Sequence, residues 1–160
     1  MVELVPISLN GFNKLMEELH QLEKEAGELR KRVSDAREMG DLKENGEYIY
    51  GRQELGFLEG RLGELRTAIN RSDKIDCTKV NCDKAVFGTV VTLLDMNTQD
   101  KVTYQLLGPN DADLDNGSIS IYSPVGDAIH GLAVGDKGMV KKPKGEFHFE
   151  VLEIARSQVA

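Results

Sequence analysis

Four acids stand at three-residue spacing in "AREMGDLKENGEYIYGR", residues 36–52: Glu38, Asp41, Glu44 and Glu47. Something must offset their repulsion, and three kinds of chemistry can do so. Asp41-Leu42-Lys43-Glu44 has the form of a capping box, in which each acid accepts from the other's backbone amide. Both would also favour the positive end of a helix that starts there. Simple solvation suffices for Glu38 and Glu47. The third possibility is a hard divalent cation: Asp41 and Glu44 offer carboxylate oxygens, but Mg²⁺ takes about six oxygen ligands and shares them with water and phosphates. Such a pair is a partial site that a partner would have to complete. Arg37 and Arg52 flank the acids. If the chain folds back on itself near 41–46, they lie at similar heights on opposite arms and could touch a phosphate chain, or form ordinary surface ion pairs such as Arg37 with Glu38 or Asp41.

The elements on either side predict that fold-back. Phe12, Leu15, Leu19, Leu22, Ala26, Leu29, Val33 and Ala36 alternate spacings of three and four, an unbroken heptad seam. Ser8 is a candidate cap at its start. The pattern returns at Tyr48, Gly51, Leu55, Leu58, Leu62, Leu65 and Ile69. Two seams of similar length joined by a short segment predict an antiparallel coiled-coil hairpin, with the first helix over about residues 10–38. Tyr48 falls on the seam, so packing and support of the tip are both open to it. Gly27 sits within the first seam without interrupting it.

Residues 70–85 lose the heptad and read as a polar linker. Beyond them the period changes to two. Residues 86–94, 101–107, 118–123, 138–142 and 146–154 read as strands, separated by turn-rich stretches such as "GPNDADLDNG". "DAIHGLAVGD", residues 127–136, is the helix candidate of this half. The expectation is an α+β chain: residues 1–77 a coiled-coil hairpin with an acidic tip near 38–48, and residues 78–160 a small, mainly antiparallel β domain with one short helix.

Composition narrows the function classes. The chain has 160 residues, 40% hydrophobic, no Trp and a net charge of −7. The acid excess is shared, with net −3 over residues 1–80 and −4 over 81–160. Bulk electrostatics therefore excludes duplex nucleic acid as a general ligand; any nucleic-acid contact must be local. Cys77 and Cys82 are too few for a zinc site or a disulfide framework and read as reduced thiols. No secretory segment or membrane-length apolar run is present, so a cytoplasmic protein with no membrane partner is expected. His20, His130 and His148 suggest neither a metal triad nor a nucleophile pair, and "RKR" at 30–32 reads as a solvated helix face.

"AREMGDLKENGEYIYGRQELGFLEGR" resembles the tip of the Gre-type transcript cleavage factors of bacterial RNA polymerase, GreA and GreB. "DLKEN", followed by an acid and Tyr48, is the most specific part. "PISLNGFNKLMEEL" is similar to the family's opening. "FGTVVTLLD", "VTYQLLGPNDAD", "ISIYSPVG" and "VGDKGMVKKPKGEFHFEVLEI" are similar to its C-terminal domain, in order. The resemblance covers nearly the whole chain. It implies an FKBP-like C-terminal domain and a hairpin that enters the polymerase secondary channel. It implies that Asp41 and Glu44 are the catalytic acids, helping to hold an Mg²⁺ shared with the polymerase and orient the attacking water. The factor would then stimulate the polymerase's own RNA cleavage rather than act as an enzyme, with no cofactor of its own and no small-molecule substrate. Arg37 and Arg52 would touch the nascent RNA 3′ end, with Lys43, Asn45, Glu47 and Tyr48 supporting the tip. This small basic patch makes the chain more GreA-like than GreB-like. "YSPVG" matches the family's docking loop, making Ser123 and Pro124 the candidates for polymerase docking, although Asp127 stands where Arg is common. The chain is expected to act as a monomer. The alternative is a non-cleaving channel binder that inhibits the polymerase. A prolyl isomerase, for which residues 86–154 offer few aromatics, and a free coiled-coil chaperone are further options.

Overall fold

The computed structural model describes residues 3–39 and 46–160. The chain divides into two compact units. One is Asn13–Arg71; the other combines the N-terminal stretch up to Phe12 with Ser72–Ala160.

The first unit consists of α1 (Leu9–Glu38), which begins in the other unit, and α2 (Gly46–Asn70). Every residue of both heptad seams is buried or half-buried, with Ala26, Leu29, Leu62 and Leu65 nearly sealed from solvent. Burial of this stripe holds the arms together; propensity alone would not hold an α2 that carries five glycines. Among the described residues, three ion pairs cross between the arms: Arg61 to Glu18 at 2.8 Å, Arg66 to Glu23 at 3.4 Å and Arg30 to Glu59 at 3.3 Å. All are exposed, a class worth about 0–1 kcal/mol each, so they mark the register more than they stabilise it. The arms approach closely at Gly51. A Cβ placed on Gly51 would sit 2.7 Å from Val33 Cγ2, so a seam position that could carry a large residue carries none.

The second unit is a five-stranded sheet in the order β5-β4-β3-β7-β6, formed by β3 (Thr89–Asp95), β4 (Lys101–Leu107), β5 (Ser118–Ser120), β6 (Lys137–Lys142) and β7 (Gly145–Arg156). The β3–β4, β3–β7 and β6–β7 pairings are antiparallel and β4–β5 is parallel. The register against β3 shifts between Thr92 and Leu93, leaving Leu152 as an extra residue on β7, a bulge that bends that strand. Val91, Leu93, Leu106, Ile129, Phe149 and Val151 form the core. Gly138 lets β6 pass over the Phe149 ring, where a Cβ would lie 2.4 Å from it.

Three features differ from the sequence reading. First, residues 70–85 are not simply a linker. Within them, β2 (Ser72–Ile75) pairs in parallel with β1 (Val5–Ser8), and Cys77–Lys79 forms a short 3₁₀ turn capped by the Asp76 carboxylate. Ser72–Cys77, assigned to the hairpin half by the sequence, thus packs with the strand-rich unit. Second, the short helix α3 is Pro124–Ile129 rather than 127–136. Ser123 and Pro124 start it early, and Gly131 and Gly135, both at φ near +90°, prevent its continuation. Third, strand pairing in β5 stops at Ser120, whose carbonyl accepts from the Ser123 amide and hydroxyl and turns the chain into α3.

Cys77 is fully buried beside Phe87 and Leu107. Burial pushes its thiol up to about 11, with the nearby Asp111 and Asp76 charges adding to the shift. The folded chain therefore disfavours the thiolate, the reactive form. At pH 8, iodoacetamide is expected to modify Cys77 only after denaturation, as read by peptide mass spectrometry; rapid modification of the native chain would contradict this burial. The raised value also sets a pH window. The stabilising contribution is intact below pH 9, where the unfolded thiol is neutral, and is lost as the pH rises through about 11.

Candidate nucleic-acid and metal-ligand site at the hairpin tip

The functional positions read from the sequence are divided between described and undescribed residues. Asp41, Lys43, Glu44 and Asn45 lie outside the described residues, as does the capping box formed from the first and third of them. The flanks are well placed. Arg37 is the basic residue in the last turn of α1, and Glu47 the acidic residue in the first turn of α2; both complement the helix dipoles.

Arg37 lies on α1 and Arg52 on α2. They line one open groove along the hairpin with Arg30, Val33, Ser34, Tyr48 and Leu55. Tyr48 and Arg52 are four apart on α2, which puts them on one face. The Arg52 Nη1 lies 3.4 Å from the Tyr48 hydroxyl, and its guanidinium carbon lies 5.7 Å from the ring centroid. Tyr48 thus holds Arg52 against the seam, a structural role that also orients the guanidinium. Of the two ion pairs considered for Arg37, that with Glu38 does not form and that with Asp41 lies outside the described residues; among the described residues neither Arg37 nor Arg52 makes a salt bridge.

The opposite side of the hairpin has a different charge. There a second groove is lined by Leu29, Arg32, Val33, Glu47, Tyr50, Gly51 and Glu54. Among the described residues, three arginines line the first groove, one of them, Arg30, paired with Glu59, and one arginine and two acids line the second. Glu47 is therefore on the far side from Arg37 and Arg52. A polyanion would meet attraction along one groove and a mixed field along the other.

Sequence reasoning missed Arg30 and Ser34. Reading "RKR" as one solvated face obscured that α1 turns its members in different directions. Arg30 bonds Glu59 and faces the basic groove, while Arg32 lines the other. Arithmetic on the heptad, which puts Arg30, Ser34 and Arg37 on one flank of the seam, was the signal available.

Ser123 and Pro124 have local roles that account for their residue types. The Ser123 hydroxyl accepts from the Gly126 amide at 3.1 Å and donates to the Ser120 carbonyl at 2.6 Å, and Pro124 occupies the first turn of α3. Asp127 is an acid in the first turn of α3, where the helix dipole favours it. Gly126 is required: a Cβ there would lie 2.0 Å from the Ser120 carbonyl oxygen. Pro124 is exposed and Ser123 half-buried.

Comparison with known proteins accounts for both halves of the chain. Residues 5–73 match the family model described as transcription elongation factor, N-terminal. Residues 79–156 match that of transcription elongation factor, GreA/GreB, C-terminal. The transcription elongation factor GreA of Desulfotalea psychrophila is 43% identical over 161 residues, the whole of both chains. That of Thermodesulfovibrio yellowstonii is 40% identical, covering 97% of this chain and 99% of its own. Among solved structures, the GreA factor homolog 1 of Thermus thermophilus is 27% identical, covers 95% of this chain and 99% of its own, and has a TM-score of 0.46. Family models spanning nearly all of the sequence, together with full-length relatives at about 40% identity, carry the assignment: the chain belongs to the GreA/GreB family of transcription elongation factors.

Proposed function

We propose that this protein is a transcript cleavage factor. Its hairpin enters the secondary channel of bacterial RNA polymerase, reaches a backtracked nascent RNA 3′ end and stimulates the polymerase to cut its own transcript, so that arrested elongation restarts. The observation that carries the reading is the groove lined by Arg37 and Arg52, neither in a salt bridge among the described residues, on the two arms that lead in sequence to the segment bearing Asp41 and Glu44. A cation-lined groove suits a phosphate chain, and two carboxylates suit a hard divalent ion beside it.

In this reading Asp41 and Glu44 donate ligands to an Mg²⁺ held mainly by the polymerase. Two carboxylates cannot complete a set of about six oxygens, so the chain is not an enzyme on its own and keeps no resident metal. When bound, such an ion lowers the pKa of its water and stabilises charge in phosphodiester hydrolysis. The protein's part is to bring the carboxylates close and hold the RNA end still. Arg37 and Arg52 do the last by contacting phosphate, with Tyr48 orienting Arg52. Lys43, Asn45 and Glu47 support the tip. Ser123 and Pro124 form part of the surface that docks on the polymerase, and Asp127 makes that contact salt-dependent. The protein works as a monomer in the cytoplasm.

The test is a polymerase stalled in a backtracked state with labelled RNA and Mg²⁺. Added protein is expected to shorten the RNA. The Arg37→Ala/Arg52→Ala variant should do so roughly tenfold more slowly at matched polymerase occupancy, the equivalent of about 1.4 kcal/mol of lost phosphate contact. Binding to polymerase without any shortening by the wild type would instead make the chain a non-cleaving channel inhibitor.

A further inference from the structure

The five-stranded sheet ends in an open edge at β6, which has β7 as its one neighbour. Which residues of β6 face that edge follows from the hydrogen bonds of β7. The His148 carbonyl accepts from the Met96 amide at 2.9 Å, on the β3 side. In an antiparallel ladder a residue's N–H and C=O point to one side, and successive residues alternate. Phe147 and Phe149 therefore turn toward β6, opposite Val140 and Gly138. The Val151 amide, which donates to the Asp136 carbonyl at 2.8 Å, keeps the alternation. Lys137, Met139 and Lys141 are left with their N–H and C=O groups turned outward. Among the described residues no backbone partner takes them.

The edge is also basic. Lys137, Lys141, Lys142 and Lys144 fall within eight residues of a chain whose net charge is −7, and all four are exposed. Glu150 and Glu146 stand opposite Lys137 and Lys141, yet among the described residues none of the four lysines makes an ion pair. Lys142 rests on the Phe147 ring, its Nζ 4.8 Å from the centroid. Strand alternation puts Lys137, Met139 and Lys141 on one face, while Val140 joins the core on the other. Met139 is 40% exposed. The edge thus offers lysine, an apolar side chain and lysine at two-residue spacing, beside unpaired amides and carbonyls.

We propose that β6 takes an extended segment of a partner protein as an added strand, and that this segment carries an acid on each side of an apolar residue at the same two-residue spacing. Backbone hydrogen bonds to Met139 and Lys141 hold such a strand, and side chains at alternate positions select it. Charge complementarity chooses the occupant, because opposite charges on neighbouring strands attract and like charges directly opposite repel. A second copy of this chain is disfavoured on that ground: antiparallel pairing of two β6 strands about Met139 sets Lys137 of each against Lys141 of the other. Lysines that guard the edge against its own kind leave it open to an acidic strand. A polyanion without a strand backbone would feel the charge and leave the outward amides unused. The edge belongs to the strand-rich unit alone, so the site stands whether or not the hairpin stimulates cleavage.

Amide hydrogen exchange of the full-length protein, read by NMR, tests this with three capped peptides. The first alternates threonine with glutamate, valine and glutamate. The second is the same peptide N-methylated at its glutamate and valine amides, and the third carries lysine in place of glutamate. The first, at saturation, is expected to slow exchange at Met139 and Lys141 about tenfold and to leave Gly138 and Val140, which already face β7, unchanged. The methylated peptide should bind about tenfold more weakly for want of its backbone donors. The Lys137→Glu/Lys141→Glu variant should prefer the lysine peptide to the acidic one by about tenfold, reversing the wild-type order. Should that variant not fold, the methylated peptide still decides. Equal binding of the methylated and unmethylated peptides overturns the proposal, since charge alone would then explain both. So does unchanged exchange at Met139 and Lys141, a folded variant that keeps the wild-type preference, or a single-stranded RNA of equal charge that slows the same amides as much. Slowing that grows with protein concentration in the absence of peptide would give the edge to a second copy and overturn it too.

Discussion

Gly51→Leu is expected to destabilise the hairpin by about 2 kcal/mol. The position lies on the seam, where a Cβ alone would already come within 2.7 Å of Val33 Cγ2. Leucine adds three more carbons to an occupied space, and overpacking of this kind costs up to about 3 kcal/mol. Removing a glycine from a helix returns only about 1 kcal/mol, so the collision prevails. The same helix supplies the control. Gly56, Gly60 and Gly63 are exposed, and nothing lies within 4 Å of a Cβ at any of them. Their joint replacement by alanine should stabilise the hairpin by roughly 2 kcal/mol, at about 0.4–1 kcal/mol each. Urea unfolding followed by helical circular dichroism reads both, because α1 and α2 hold 30 and 25 helical residues against six in α3. A Gly51→Leu protein as stable as wild type would mean that the arms do not meet at Val33.

The second large effect is chemical. Asp41→Asn/Glu44→Gln should leave the fold and polymerase binding intact and lower stimulated cleavage by about 100-fold, a loss reached even by removing groups that merely support metal ligands. The substitution separates two roles that the sequence leaves open. Asparagine caps a helix about as well as aspartate, so a capping function survives it. A neutral amide is a far weaker ligand for a hard cation than a carboxylate, so a metal function does not.

Much of the first unit was legible because its physics is local and periodic. Spacings of three and four from Phe12 to Ala36 and from Tyr48 to Ile69 named the seam residues, and each of them is buried or half-buried. Ser8 was legible as a cap, and its hydroxyl does accept from Gly11. That Arg37 and Arg52 line one groove followed from closing the hairpin. Alternation likewise located the central strands, with β4 at its expected bounds.

What stayed hidden depends on distant partners. "VPIS" and "SDKI" are four residues each, one containing proline and the other largely polar, and neither shows a pattern; they become strands by pairing Val5 with Ser72 across the whole hairpin. Helix α3 was misplaced because alanine and leucine at 128–133 outweighed the Ser-Pro start and the two glycines that require positive φ. Asp111 passed as one acid in a turn, since its two amide partners include Ser8, 103 positions away. The tip acids Asp41 and Glu44 were singled out by type and spacing, and that is where their case rests.

The most direct measurement therefore compares wild type with Asp41→Asn/Glu44→Gln on backtracked polymerase at equal, saturating occupancy in Mg²⁺. Shortened RNA with the wild type, and about 100-fold slower shortening with the variant, would assign the tip carboxylates to the cleavage reaction. Equal rates from the two proteins would contradict the account and leave Asp41 and Glu44 as helix caps.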